Sequence, residues 1–320
     1  IGRKVDYWRT WWEHQENDAY WQQFHHRPDA VTVPIFQQGG WFDPYSGSHL
    51  RNFAAIGDRV PNRVLMGPWS HEEEVETFRA DVDLSAAVTV IRDHELAFYD
   101  RYLRDVGNDW EERPPLELFV LGRNEWRGES EWPLLGTELT PYYLRAGGRL
   151  DRDLPRSGEP ADRYSYDPND PVPTIGGVNS VLTMTQGAAR PILPGPRDQR
   201  ELEARADVLS YTTDELDRDL EAIGPVELVL FAASSAKDTD FIVRISDVYP
   251  DGRSVLVMDY VRRARYREGF EKEVFMEPGK VYAVNFDVGW TSIVFNKGHR
   301  IRVAVSSSNS PRFEPNPNTG

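Results

Sequence analysis

Two apolar runs in this chain each break at glycine and end on one residue that can move or hold a proton. Pro34-Ile35-Phe36-Gln37-Gln38-Gly39-Gly40-Trp41-Phe42 delivers Asp43, and Val64-Leu65-Met66-Gly67-Pro68-Trp69-Ser70 delivers His71. An aspartate that accepts the Nδ1 proton of a histidine fixes the tautomer and stabilises the imidazolium formed when a nucleophile is deprotonated. Strands of a parallel sheet present such residues at their carboxyl edge, where α/β folds place their chemistry. An Asp followed by a His is the second half of a serine-hydrolase triad in the chain order Ser…Asp…His. The first half would be a serine on a G-x-S-x-G turn, and no such turn occurs in the 320 residues. Spacing alone leaves a plainer reading open: Asp43 as a turn former before Pro44, and His71 as a surface histidine beside Glu72-Glu73-Glu74.

The elements around these residues read as follows. A chain of 320 residues exceeds what one hydrophobic core usually covers, so two domains are expected. Aromatics at 8, 11, 12, 20, 21 and 24 recur near helical spacing, which predicts one or two amphipathic helices over 5–27 burying a Trp/Tyr-rich face. Residues 31–42 read as a buried strand, 46–56 as a helix with Leu50, Phe53 and Ala54 inward, and 63–67 as a second strand. An acidic loop follows from Glu72 to Asp83. A long helix then runs from Leu84 to Arg104, with Val88, Ile91, Leu96, Phe98, Tyr99, Tyr102 and Leu103 as its apolar stripe and Gly107 as its stop. The segment is β-α-β-α, the end of a doubly wound sheet.

At Arg113-Pro114-Pro115 the pattern changes to short alternating runs separated by turn residues. Strands are expected at 116–120, 140–144, 226–231, 241–245, 255–258, 281–286 and 300–305, which describes a β-sandwich or jelly roll. Residues 151–200, rich in Pro, Gly, Asp and Arg, form a long excursion whose role is either functional or structural.

Lys plus Arg number 37 against 52 Asp plus Glu, a net charge of −15 that argues against nucleic acid and anionic membranes as partners. Without cysteine there are no disulfides and no thiolate zinc sites, and the chain is expected in the cytoplasm. No stretch approaches the apolar length of a membrane helix, and no signal peptide is visible. Starting at Ile1 and ending at Asn318-Thr319-Gly320, the chain reads as a fragment. The run Arg262 to Arg267 reads as a solvated strand face. His14, His25, His26 and His94 lack partners at ligand spacing, and Asp238-Thr239-Asp240 reads as a polar turn in preference to a calcium site. No metal and no cofactor are called for.

The wording of the two motifs narrows the choice. Gly39-Gly40-Trp41-Phe42-Asp43 and Gly67-Pro68-Trp69-Ser70-His71 resemble the Asp and His motifs of the CocE/NonD hydrolases, which group with the X-Pro dipeptidyl-peptidases. The resemblance continues through Asp170-Pro171-Val172-Pro173-Thr174-Ile175-Gly176-Gly177, Asp198-Gln199-Arg200, Ser306-Ser307-Ser308-Asn309 and Pro311-Arg312-Phe313, and so covers almost the whole chain. It implies the end of a helical cap over 1–30, the C-terminal part of an α/β-hydrolase core over 31–112, and a jelly-roll β-sandwich over 113–320. It also implies that Asp43 orients the base and His71 is the general base and acid, with the serine upstream of Ile1. Tyr45 corresponds to an apolar position lining the acyl pocket, and Trp41 and Trp69 are candidates to touch substrate. In the related α-amino-acid ester hydrolases, acidic residues follow the Asp and bind an ammonium. Pro44, Tyr45 and Ser46 stand in those places here, which implies an uncharged acyl group. The implied partners are a small ester, amide or short peptide and the missing N-terminal part of the same protein, with a homo-oligomer left open. The competing expectation is a non-catalytic β-sandwich that binds or assembles. One distance separates the two: a triad needs Asp43 and His71 at hydrogen-bond length, about 2.7–3.2 Å.

Overall fold

The computed structural model describes residues 6–25, 27–71, 80–87, 90–179 and 192–320. His26, Glu72-Glu73-Glu74, Val88 and part of the 151–200 excursion lie outside them.

Strands β1 (Ile35–Phe42) and β2 (Asn62–Ser70) pair in parallel, joined by helix α3 (Ser46–Ile56). Most residues of both strands are buried, since a parallel strand is covered on both faces. Phe42, Leu65 and Met66 are fully buried, each contributing roughly 1.5–3 kcal/mol of transfer free energy. Helix α3 turns Leu50, Phe53 and Ile56 inward, and Gly57 at φ +55° ends it with its N–H on the Phe53 carbonyl. Strands β3 (Leu116–Val120) and β4 (Glu125–Glu129) complete a sheet of order β1-β2-β3-β4, with β3 parallel to β2 and β4 antiparallel to β3. The run at 116–120, expected in the β-rich part, is therefore the third strand of the Asp/His sheet.

Beyond it lie β5 (Tyr143–Arg145), β6 (Arg149–Asp151), β7 (Leu209–Thr212), β8 (Leu220–Ala232), β9 (Asp240–Val248), β10 (Ser254–Arg263), β11 (Tyr282–Phe295) and β12 (Arg300–Ser306). They form a six-stranded sheet of order β10-β9-β12-β7-β6-β5 and a two-stranded β11-β8 ribbon. Ladder bonds from Leu121 N–H to Ser292 O and from Val294 N–H to Leu121 O stitch the first sheet to β11, and one apolar core runs through both parts.

Three expectations are corrected. Helices α1 (Asp6–Glu13) and α2 (Ala19–Gln22) do not bury an aromatic face: Tyr7, Trp8, Trp11, Trp12 and Phe24 are exposed. Their rings pack on one another instead, Trp11 tilted against Trp21 at 6.0 Å and Tyr20 edge-on to Phe24 at 5.3 Å. The long helix is α4 (Val90–Leu103), preceded by a single 3-10 turn at Ser85–Ala87. Its inward residue is His94, while Leu96, Tyr99 and Leu103 face out. His94 is buried because its Nε2 meets Glu117 Oε1 at 2.9 Å and its Nδ1 meets the Val90 carbonyl at 2.7 Å. The arginine run is not a solvated face. Arg263 grips Asp240 with two bonds of 2.8 and 3.0 Å, and Arg265 pairs with Asp238 and Glu273. Asn316 Nδ2 also donates to Asp238 Oδ2 and to Asp240 Oδ1, at 3.0 and 2.9 Å, so these carboxylates serve a buried ion network.

The described part of the 151–200 excursion straps the β-rich part. Val172 N–H donates to Ser308 Oγ at 2.8 Å, Thr174 N–H to Ser310 O at 2.7 Å, and Tyr164 OH meets Ser307 Oγ at 2.7 Å. The Ser306–Asn309 string faces Arg244, which is buried with its guanidinium on Ser306 Oγ, and whose acidity rises to a pKa of about 10 through burial, with Asp259 opposing the shift. Asp259 accepts from both Asn309 and Arg312. These motif words are thus the lock of a loop onto a sheet.

Candidate active site

The register of β1 on β2 brings the two candidate residues together. An irregularity between Gly40 and Phe42 re-aims the strand end so that Phe42 pairs with Ser70. The next residue of each strand, Asp43 and His71, leaves the sheet beside the other. Asp43 Oδ1 accepts the Tyr45 N–H at 2.8 Å, an Asx-turn that sets the loop into α3. Its Oδ2 lies 3.2 Å from His71 Nδ1. The Asp43 side chain is 10% exposed and that of His71 45%, so the carboxylate is shielded while the imidazole faces outward. With Nδ1–H held by Asp43, Nε2 is the nitrogen free to take a proton.

Tyr45 joins this pair. Its ring meets His71 edge-on, with centroids 5.2 Å apart, and is itself mostly exposed. Trp41 and Trp69 are placed elsewhere. Trp41 is 4% exposed and donates its indole N–H to the Phe119 carbonyl at 2.8 Å, tying the end of β1 across β2 to β3. Trp69 is 5% exposed and packs on Trp126 at 5.8 Å. Both are wall, with no surface to offer a ligand. A β-carbon at Gly40 would overlap the Trp69 carbonyl, and one at Gly67 would overlap the Trp69 ring, which is why the motifs need glycine there.

Two histidines escaped the sequence reading. His49, on the first turns of α3, rests its ring against Gly39 and feels the charge of both Asp43 and His71. Burial pushes its imidazole below the ordinary range, against the pull of Asp43 and with the push of His71. Its position four residues after Tyr45 was the available signal. His299 forms a second Asp–His pair, with Nδ1 at 2.9 Å from both oxygens of Asp247. A cleft of about 480 Å³ is lined by Asp81, Asp83, Tyr249, Arg253 and His299 among others, but by neither Asp43 nor His71. Among the described residues no group of three or more His, Asp or Glu could hold a metal ion, and no helix is long and apolar enough to cross a membrane.

Adjoining parallel strands thus release an aspartate and a histidine side by side at one edge of the sheet. Residues 2–73 match the X-Pro dipeptidyl-peptidase (S15 family) model, and residues 108–320 match that of the X-Pro dipeptidyl-peptidase C-terminal non-catalytic domain. The chain belongs to this X-Pro dipeptidyl-peptidase family. It is 39% identical over 323 residues to the cocaine esterase of Rhodococcus sp. (strain MB1 Bresler), covering 96% of this chain and 54% of that protein. Among solved structures it is similar to an aminopeptidase from a marine sediment Thaumarchaeota archaeon and to an α-amino acid ester hydrolase. For each the TM-score is 0.85 at 28% identity, over 99% of this chain and 55% of the other. The chain thus spans about half the length of the relatives it matches.

Proposed function

We propose that this chain carries the Asp and the His of a Ser-Asp-His triad that cleaves an ester or amide, and that the serine lies on a part of the protein outside these residues. The observation that carries the reading is the contact of Asp43 Oδ2 with His71 Nδ1 at 3.2 Å, with the imidazole's other edge outward. His71 Nε2 takes the serine hydroxyl proton as the oxygen attacks the carbonyl carbon. Asp43 stabilises the imidazolium, which then protonates the departing alkoxide or amine. Water, activated by the same imidazole, releases the acid and restores the serine. Strands β1 to β3 with α3 are the C-terminal part of an α/β-hydrolase core, residues 1–30 the end of its cap, and the β-rich remainder a jelly roll. Tyr45 forms an apolar wall beside His71. Pro44, Tyr45 and Ser46 supply no carboxylate for an ammonium, so the acyl group is uncharged.

The test is complementation. Alone, the 320 residues should hydrolyse p-nitrophenyl acetate no faster than buffer. Fused to the segment encoded ahead of Ile1, they should hydrolyse it in a manner abolished by His71→Ala. Turnover by the isolated chain that His71→Ala removes, or a fusion whose rate ignores His71, overturns the reading.

A further inference from the structure

The cleft at His299 takes no part in the proposed triad, since neither Asp43 nor His71 lines it. Its walls are fixed before anything enters. One wall is the stretch from Asp81 to Asp83. The Asp81 N–H donates to the Pro196 carbonyl at 3.1 Å, its Oδ2 accepts the Asp198 N–H at 2.8 Å, and its own carbonyl accepts from Arg253 Nη1 at 2.9 Å. The other wall is the turn between β9 and β10, where the Arg253 guanidinium lies 4.5 Å from the centre of the Tyr249 ring. Between them stands His299, its side chain only 10% exposed. Nδ1–H is held 2.9 Å from both oxygens of Asp247, which leaves Nε2 as an acceptor. Asp247 does not line the cleft and His299 does, so the ring edge turned away from Asp247 is the one that meets it. Among the described residues Nε2 has no hydrogen-bond partner.

The groups left over in this cleft are of one kind. Asp83 Oδ1 accepts the Ser85 N–H at 2.9 Å, which leaves Oδ2. Asn124 and Asn296 each donate from Nδ2 to a carbonyl, that of Asp83 at 2.8 Å and that of Gly122 at 3.0 Å, which leaves their Oδ1 atoms. These three oxygens and His299 Nε2 are all acceptors, and none has a partner among the described residues. The arginines nearby are already matched, Arg253 with Asp251 and Arg197 with Asp81. Two carboxylates remain without an arginine, Asp83 in the lining and Asp247 behind the imidazole. A ligand for such a surface carries positive charge and several N–H donors. Among the described residues no three metal ligands converge, so an organic cation fits here and a bare metal ion does not. We propose that the His299 cleft binds a small primary alkylammonium ion, its N–H groups shared among His299 Nε2, Asp83 Oδ2 and the side-chain oxygens of Asn124 and Asn296, and its alkyl chain against Val82. The volume of about 480 Å³ is that of a small-molecule site.

The experiment titrates the 320-residue chain with n-butylammonium chloride at about pH 8, where the amine is charged, and follows the ring nitrogens of labelled histidine by NMR. His299 is assigned by its loss in His299→Gln. Potassium chloride at matched ionic strength, n-butanol and sodium acetate are the controls. The expected result is a saturable shift of His299 Nε2 with a midpoint below about 20 mM, absent with each control. Asp83→Asn should raise that midpoint about five- to tenfold, and Asp83→Lys, which seats a cation of the chain's own in the cleft, should abolish the shift. Calorimetric titration of wild type and the two Asp83 variants repeats the comparison without an assignment, and so stands even where His299→Gln fails to fold. An unmoved His299 signal, a shift matched by potassium chloride, butanol or acetate, or an affinity indifferent to Asp83 overturns the proposal. Binding is read without turnover, so failure of this site and failure of the triad are separately visible.

Discussion

Asp43–His71 and Asp247–His299 are built from the same three parts, an aspartate, a histidine bound through Nδ1, and a tyrosine ring against the imidazole. Tyr45 sits 5.2 Å from His71 and Tyr249 sits 4.4 Å from His299. What separates them is placement. Asp43 and His71 stand just past the ends of parallel strands, and the His71 side chain is 45% exposed. Asp247 lies within β9, paired with Ile301 of β12, and the His299 side chain is only 10% exposed. Burial raises the Asp247 carboxyl to about 6, against the pull of His299. The contact is also tighter, 2.9 Å to both oxygens against 3.2 Å to one. On the proposed reading the first pair exchanges a proton with a substrate, whereas the second ties the entry of β12 to β9. Residue type alone therefore does not tell the two pairs apart; strand-end placement and side-chain exposure do.

The largest effect that would break the comparison is kinetic. In the fused protein, Asp43→Asn should lower kcat about 10⁴-fold by freeing the wrong tautomer of His71, while Asp247→Asn leaves kcat within about threefold. Steady-state rates on one ester decide it. Next comes stability. His299→Ala strands a buried carboxylate and should cost about 3 kcal/mol in urea unfolding, against about 0.5 kcal/mol for His71→Ala at its exposed place. Equal losses would mean that the two pairs are not different in kind.

A third test uses pH. A carboxyl whose folded value is raised contributes stability that is fully present below its unfolded value, about 3.9, and is lost as pH rises through about 6. The advantage of wild type over Asp247→Asn should thus shrink between pH 4 and 7, by at most about 1.4 kcal/mol per pH unit. A flat difference would contradict the burial of Asp247. The smallest effect is expected at Tyr45→Ala, a rise in KM of about three- to tenfold with kcat nearly kept, since on the proposed reading the ring is an apolar wall that carries no proton.

Much of the first pair was legible in the sequence because its geometry demands specific neighbours. Glycine at 39 and 40 and at 67, with a tryptophan close behind, marks strands that end in tight contact. Helix α3 was readable over its full length because Leu50 and Phe53 keep helical spacing, although Ala54, expected inward, is exposed and Ile56 is buried in its stead. The second pair left no such mark. Asp247 and His299 are 52 residues apart in β-rich sequence, and only antiparallel pairing of β9 with β12 brings them together. Helix α4 misled for a related reason. Apolar periodicity cannot foresee that His94 turns inward to meet Glu117 on another element while Leu96 and Leu103 turn out. The aromatics of α1 and α2 satisfied the helical pattern, yet a pattern names a face without naming what lies against it.

Trp69 carries a last consequence, for anyone who would move this site to another scaffold. One indole and its backbone set the room available at Gly40, in the aspartate's motif, and at Gly67, in the histidine's. The two words are therefore a single unit of inheritance. A graft of either loop without the other would import a glycine with nothing to make way for, or a tryptophan with nowhere to go.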